Sequence, residues 1–282
     1  MVEKAHMSQE AERPGWMQMK QGVIYYLVGH KRSAVAAVSL HALRKVYAGN
    51  LAIMTIEEKQ LDRDALALAG DKRLGAELIY VPLCKTEKHA INTTKSALYK
   101  YSPFEQTVFI DADTIPVGTF EAVWPQQEEI VLTTFANWHT AGRTISKRIE
   151  WWREIVPDQV TSTIKAAIPA INTGVFGFHR HTAMLGPWHD LCVKGSKTFI
   201  ADEISAQILF RHFKHRLVDD RFNCSPQFGL HKNDVRIWHC HGGKHLRPAT
   251  KELWLSLFRE CWERNIGKIQ TWMTDHEQRL YN

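Results

Sequence analysis

Residues 107–114 read Thr-Val-Phe-Ile-Asp-Ala-Asp-Thr, an apolar strand that ends in two carboxylates, Asp111 and Asp113. A buried strand has no use for two unpaired charges, because desolvating them is costly. A divalent cation makes the placement sensible: hard ions take carboxylate oxygens, and Mg²⁺-like ions share one or two carboxylates with substrate phosphates. Ligand sites in open α/β sheets also gather at the carboxyl ends of strands. The spacing itself carries little, since a chain of this length holds about one Asp-x-Asp by chance. A second copy, Asp62-Arg63-Asp64, lies in a stretch that reads as a helix. Residues i and i+2 do not face one another there, so that copy is expected on a solvated surface.

A second cluster lies far downstream, Val235-Arg-Ile-Trp-His-Cys-His-Gly-Gly-Lys-His245. On an extended backbone His239 and His241 project from the same face, and neutral imidazole suits Mn²⁺ as well as softer metals. Gly242 and Gly243 let backbone approach a phosphate closely, and Lys244 can neutralise it. A histidine pair at a strand end is more often structural than ligating. Two glycines and a lysine beside it shift the balance towards an anion or metal site.

These residues need a scaffold, and the chain alternates strand and helix patterns. Gly22–Val28 is a continuous apolar run of strand length, followed by a basic turn and a helix from Ser33 to Ala48 with Ala36, Leu40, Leu43 and Tyr47 at helical spacing. Ser33 suits the N-cap, and Gly49-Asn50 suits the stop. The pattern predicts strands at 51–55, 77–83, 107–111, 130–134, 174–178, 216–219 and 235–239. It predicts helices at 59–69, 92–101, 145–155 and 202–213, then an aromatic-rich helical segment over 251–280. Alternation of this kind implies a parallel sheet with helices on both faces. Gly-x-Gly-x-x-Gly and Walker motifs are absent, so neither a Rossmann dinucleotide site nor a P-loop is supported.

Composition sets bounds. With 282 residues and 44% hydrophobic content the chain can bury a full core. No stretch approaches the roughly 20 apolar residues needed to cross a membrane. Met1–Lys20 is polar, lacks the apolar core of a secretory signal and reads as a flexible leader. Five scattered cysteines without a Cys-x-x-Cys pair fit a reduced, cytoplasmic setting better than a disulfide framework. The net charge of +6 suits an anionic partner, whether nucleotide, nucleic acid or acidic membrane surface, without choosing among them. The ten tryptophans are read first as core, with a sugar-binding surface as the alternative. The stripe Trp254, Phe258, Trp262, Ile266 and Ile269 is read as core packing, with a partner or membrane contact as the alternative.

Taken together, the ordered blocks resemble the glycogenin and lipopolysaccharide galactosyltransferase family of retaining GT-A glycosyltransferases. Phe109-Ile-Asp-Ala-Asp-Thr-Ile115 is similar to the family's signature strand. Lys95, sixteen residues before Asp111, stands where the family has a lysine that contacts sugar and phosphate. Asn172-Thr-Gly-Val-Phe176 is similar to its Asn-Ser/Ala-Gly strand. Ala201-Asp202-Glu203 stands where it has Asp-Gln against the donor sugar, so Glu203 replaces the usual Gln. The late His-x-x-Gly-x-x-Lys is matched at His239 and Gly242, with Lys244 one residue early.

The resemblance implies a GT-A type, Rossmann-like central mixed sheet flanked by helices over 21–247, with a helical tail over 248–282. It implies Mn²⁺, with Mg²⁺ as the alternative, on Asp111, Asp113 and His239, or on His241 should the loop be rearranged. It implies a nucleotide-sugar donor, a UDP-sugar first. Tyr26, Leu27, Val28, Arg32, Lys95, Asp111, Ala112, Asp113, Asn172, Thr173, Gly174, Asp202, Glu203, Gly242 and Lys244 would then contact that donor. Arg32 stands where relatives place an aromatic against uracil, and a guanidinium can stack there too. Catalytic roles fall to Asp202, Asn172 and Lys95. The acceptor would be a saccharide or another hydroxyl-bearing molecule. A modified DNA base as acceptor, and an inactive basic binding module, are the competing readings.

Overall fold

The computed structural model describes residues 19–29, 33–58, 61–134, 152, 154–156, 169–198, 200–227 and 233–272. A seven-stranded sheet runs through the middle. Its strands are β1 (Met19–Tyr26), β2 (Asn50–Thr55), β3 (Ala76–Tyr80), β4 (Phe104–Ile110), β6 (Ile130–Thr134), β7 (Ile171–His179) and β8 (His215–Val218), in the order β3-β2-β1-β4-β7-β6-β8. Two further strands, β5 (Thr114–Pro116) and β9 (Ile237–His239), pair antiparallel as a separate ribbon. The sheet is mixed rather than all parallel. β1, β2, β3 and β4 run parallel, whereas β7 lies antiparallel to both β4 and β6. Simple alternation misses this because β7 starts at the sheet end where β6 stops, Thr134 pairing with Ile171, with no crossover to the other end.

Side chains along β1 alternate between two cores, as the pleat requires. Val23 and Tyr25 join the layer that holds α1 (Ser33–Val46), while Ile24 joins the other. Residues 34–43 of α1 are buried throughout, as expected for a helix covered on more than one side. The helices α2 (Arg63–Ala69) and α3 (Ala90–Lys95) complete the first half. On the second face Phe109 stacks on Phe176 at 5.0 Å, and Phe176 meets Trp188 edge-on at 5.2 Å. Trp188 belongs to α4 (Leu185–Lys194), a helix absent from the sequence reading, and α5 (Ala201–Leu209) packs beside it.

The C-terminal aromatic stripe is core. In α6 (Lys251–Glu263) Trp254 and Phe258 are buried, as are Ile266 and Ile269 at the start of α7 (Ile269–Trp272), in the same cluster as α1. Trp152, Trp188 and Trp254 are among the largest fully buried side chains, so these tryptophans fill the interior.

Boundaries moved where a helix tightens. The helix expected over 92–101 stops at Lys95 and resumes as a 3₁₀ turn, Leu98–Lys100. The one expected over 202–213 ends at Leu209 before a second 3₁₀ turn, Phe210–His212. Of the helix expected over 145–155, only Trp152, Glu154 and Ile155 are described, in a turn where the Ile155 amide donates to the Trp152 carbonyl at 2.9 Å. Arg32 and the leader up to residue 18 lie outside the described residues, as does the tail beyond residue 272. Among the described residues no helix is long and apolar enough to cross a membrane, and all five cysteines are free.

Candidate metal and donor site

The sheet brings the two distant clusters together through the short β5–β9 ribbon. β5 begins directly after Asp113, and its register sets Thr114 opposite His239. The Cys240 amide donates to the Asp113 carbonyl at 2.7 Å, which clamps the downstream strand against the carboxylate pair. On the other flank the Asp111 amide donates to the Gly174 carbonyl at 2.7 Å, joining the end of β4 to β7. A three-residue strand of Thr-Ile-Pro carries too little pattern to be read from sequence, yet it sets the register of the site.

Asp111, Asp113 and His239 each offer a ligand atom within 4.8 Å of the others. His239 Nε2 lies 3.2 Å from an Asp113 carboxylate oxygen and 3.7 Å from one of Asp111. Its other nitrogen, Nδ1, lies 2.8 Å from Asn223 Oδ1. The Asn223 amide nitrogen is already donating to Thr133 Oγ1 at 2.7 Å and to Asn172 Oδ1 at 2.9 Å, so the oxygen faces the histidine. An amide oxygen only accepts. Nδ1 therefore carries a proton, which leaves Nε2 as the nitrogen that faces the carboxylates and could bind a cation, Asn223 being the usual kind of second partner for a metal-bound imidazole. Two carboxylates and an imidazole nitrogen form a donor set that fits Mn²⁺.

His241 stands apart from this group. Its ring packs edge-on against His239 at 5.2 Å, and its Nε2 accepts from Lys244 Nζ at 2.9 Å. Gly242 and Gly243 carry φ of 67° and 79°, a left-handed pair that glycine adopts without strain. They turn the chain so that Lys244 faces back onto the cavity wall.

Lys95 bridges the cation side and the far side of the cavity. Its ammonium lies 3.0 Å from Asp111 and 3.4 Å from Asp202. Burial works against that charge, but the two carboxylates outweigh it and hold the pKa above the ordinary lysine value. Burial likewise pushes the Asp111 carboxyl up, against the pull of Lys95 and His239. Asp202, in the first turn of α5, also accepts from Thr173 Oγ1 at 2.7 Å. Asn172 Oδ1 accepts from the Gly174 amide at 2.8 Å, and its Nδ2 donates to Glu203 at 3.2 Å. A side chain held on both ends has one orientation.

Apart from Thr133, Asn223 and Gly243, which stand behind the wall, these groups line one cavity of about 690 Å³. Every site residue expected from the sequence and falling within the described part contributes to its wall, from Tyr26, Leu27 and Val28 on β1's exit to Gly242 and Lys244. Two residues of the site had no sequence signal. Asn223 reaches His239 only because Cys224 bridges to Trp238 in the folded chain. Asp64, expected on a solvated surface, is 3% exposed and lines the cavity. The i, i+2 argument separates Asp62 from Asp64 correctly, but it does not say which of the two faces inward.

No protein-family model and no curated protein matches the sequence. Solved structures do. The bifunctional glycosyltransferase WbbM in its apo form superposes with a TM-score of 0.63 at 11% identity, covering 92% of this chain and 53% of that one. The chain thus spans about half the length of WbbM. The galactosyltransferase LgtC, solved with donor and acceptor sugar analogs, gives 0.56 at 13% identity, covering 85% of this chain and 96% of that one. The glycosyltransferase GlyE of Streptococcus pneumoniae gives 0.57 at 10%, covering 88% and 64%. The seven-stranded mixed sheet flanked by helices is the GT-A glycosyltransferase fold.

Proposed function

We propose that this chain is a metal-dependent glycosyltransferase that moves a sugar from a nucleotide sugar, a UDP-sugar in the first instance, to a hydroxyl-bearing acceptor with retention of anomeric configuration. The observation that carries the reading is the Asp111–Asp113–His239 group in the same cavity wall as Lys95, Asn172 and Asp202. One half holds a cation on a diphosphate, and the other faces the sugar that the diphosphate carries.

Asp111, Asp113 and His239 would hold a divalent ion, which when bound would supply positive charge against the diphosphate leaving group. The chain's own groups do the rest. Lys95 and Lys244 add donors where negative charge develops on the leaving group, a preorganised electrostatic contribution. Asn172 is locked by Gly174, Asn223 and Glu203, so its amide presents a fixed edge to the sugar. Asp202, held by Thr173 and Lys95, sets a carboxylate beside the oxocarbenium-like centre. The bond from the anomeric carbon to the β-phosphate oxygen breaks, and a bond to the acceptor oxygen forms on the same face. The acceptor's proton passes to the departing phosphate oxygen.

The test is a panel of UDP-sugars with Mn²⁺, scored by UDP release without acceptor. Release from one donor, lost in EDTA and in Asp113→Ala but kept in Asp62→Ala, supports the reading. Normal turnover in EDTA, or equal loss in both variants, overturns it. Asp62 is the internal control because its carboxylate accepts from Tyr80 Oη at 3.1 Å and it does not line the cavity.

A further inference from the structure

Four side chains from separate segments of the chain form one unbroken line of hydrogen bonds. His239 on β9 presents Nδ1 to Asn223 Oδ1 at 2.8 Å. The Asn223 amide nitrogen donates to Asn172 Oδ1 at 2.9 Å, and the Asn172 amide nitrogen donates to Glu203 Oε2 at 3.2 Å. Asn172 lies in β7 and Glu203 in the first turn of α5. His239, Asn223 and Asn172 are each at most 9% exposed, and Glu203 ends the line at the cavity wall.

Every link points the same way, from the imidazole to the carboxylate, and independent partners set that direction. Thr133 Oγ1 gives its proton to a β7 carbonyl, that of Asn172 at 3.0 Å or of Val175 at 2.9 Å. Towards Asn223 Nδ2, at 2.7 Å, it therefore accepts. The Gly174 amide donates to Asn172 Oδ1 at 2.8 Å. At the far end an ionised carboxylate accepts and never donates. Both amides thus turn nitrogen towards Glu203 and oxygen towards His239.

A carboxylate drawing on an amide N–H raises the electron density on that amide's own oxygen. Hydrogen bonds to an ionised acceptor are the stronger kind, and bonds in a chain strengthen one another in a dry interior. Two amides in series therefore carry the influence of Glu203 to the Nδ1 proton of His239. A stronger acceptor at that proton makes Nε2 a more basic ligand.

We propose that Glu203 is a positioning residue for the cation site: through Asn172 and Asn223 its carboxylate orients and polarises His239, and so sets part of the metal affinity. The proposal rests on the reading of Asp111, Asp113 and His239 as cation ligands and extends it to a residue outside that group.

The experiment is Mn²⁺ binding to the full chain, without nucleotide, followed by electron paramagnetic resonance in a double-mutant cycle on Glu203→Gln and Asn223→Ala. Glutamine keeps an acceptor for Asn172 Nδ2 and removes the charge. Glu203→Gln should weaken Mn²⁺ binding severalfold, short of the about 10–100-fold expected when the direct partner is lost. In the Asn223→Ala background, where the line is cut, the same substitution should change nothing further. A second readout needs no metal. A strongly hydrogen-bonded imidazole N–H resonates downfield, so at one fixed pH the Nδ1 proton of His239 should move upfield in Glu203→Gln. Equal losses of affinity in both backgrounds would mean that Glu203 acts on the cation through space, and would overturn the proposal. Wild-type Mn²⁺ affinity in Glu203→Gln, or an unmoved His239 resonance, overturns it too, and each leaves the cation site in place. A wild-type chain that binds no Mn²⁺ removes both. Should Asn223→Ala not fold, the His239 resonance decides alone.

Discussion

Asn223 Oδ1 accepts the Nδ1 proton of His239 at 2.8 Å, and this one bond decides which imidazole nitrogen turns to Asp111 and Asp113. Asn223→Ala leaves His239 free to flip or change tautomer and strips partners from Thr133 Oγ1 and Asn172 Oδ1. Loss of such a supporting group weakens metal affinity by about 10–100-fold. The buried acceptors left behind cost about 1–3 kcal/mol of stability. Mn²⁺ binding followed by electron paramagnetic resonance should show the first, and a denaturant melt the second. Wild-type Mn²⁺ affinity in Asn223→Ala would remove Asn223 from the site.

Gly174 fills a different need. A methyl group placed on its Cα would overlap the His239 ring and crowd Asn172 Oδ1 at 2.8 Å. Gly174→Ala should push the imidazole off the carboxylate pair, with an overpacking cost of about 1–3 kcal/mol. Mn²⁺ affinity and donor hydrolysis should fall together. A variant that melts like the wild type and keeps its Mn²⁺ affinity would show that the ring does not depend on this gap.

The C-terminal segment supports the turn that follows β9. Trp254 packs against His245 with ring centroids 4.2 Å apart, and Thr250 Oγ1 donates to the His245 carbonyl at 2.9 Å. His245 directly follows Lys244, so α6 braces the turn that carries that lysine. Trp254→Ala should cost about 3–5 kcal/mol and lower turnover. Trp254→Phe should recover most of both, and stability should be scored in urea and turnover at a temperature where each variant is folded. Lost stability with unchanged turnover would mean that the brace does not reach Lys244.

How much of this was legible beforehand varies with the distance over which information had to travel. The Asp111–Asp113 strand end, Lys95, Asn172 and the Gly242–Lys244 turn announce themselves locally, by a polar residue where an apolar strand should continue or by paired glycines. β1, β2 and β6 were readable as continuous apolar runs. β5 was not, because three residues give no period, and α4 was hidden by Gly186 and Pro187 near its start. Asn223 and the burial of Asp64 depend on contacts between segments far apart in the chain, which no local pattern records.

Acid should loosen the C-terminal helix before the sheet. Glu260 on α6 accepts from Lys45 at 2.7 Å and from His41 at 2.9 Å, both on α1. The Lys45 and His41 hydrogen bonds hold its carboxyl below the ordinary value of 4.5. A depressed folded pKa contributes stability that is fully present above the unfolded value and is lost as pH falls through the folded one. The melting-temperature gap between wild type and Glu260→Gln should therefore be widest at neutral pH and close as the pH falls from 4.5 through the depressed folded value. A gap that stays constant across that range would show the pair to be electrostatically silent.

Lys95 already has two carboxylate partners, Asp111 and Asp202. A dication arriving at Asp111 meets an occupied acceptor, so loading the site is a trade of partners rather than a simple addition. Released from Asp111, the ammonium still has Asp202 beside it and becomes free to turn towards the anionic group that accompanies the ion. Metal and nucleotide should then enter as a pair whose joint affinity exceeds what either shows alone, and the lysine is the coupling between them.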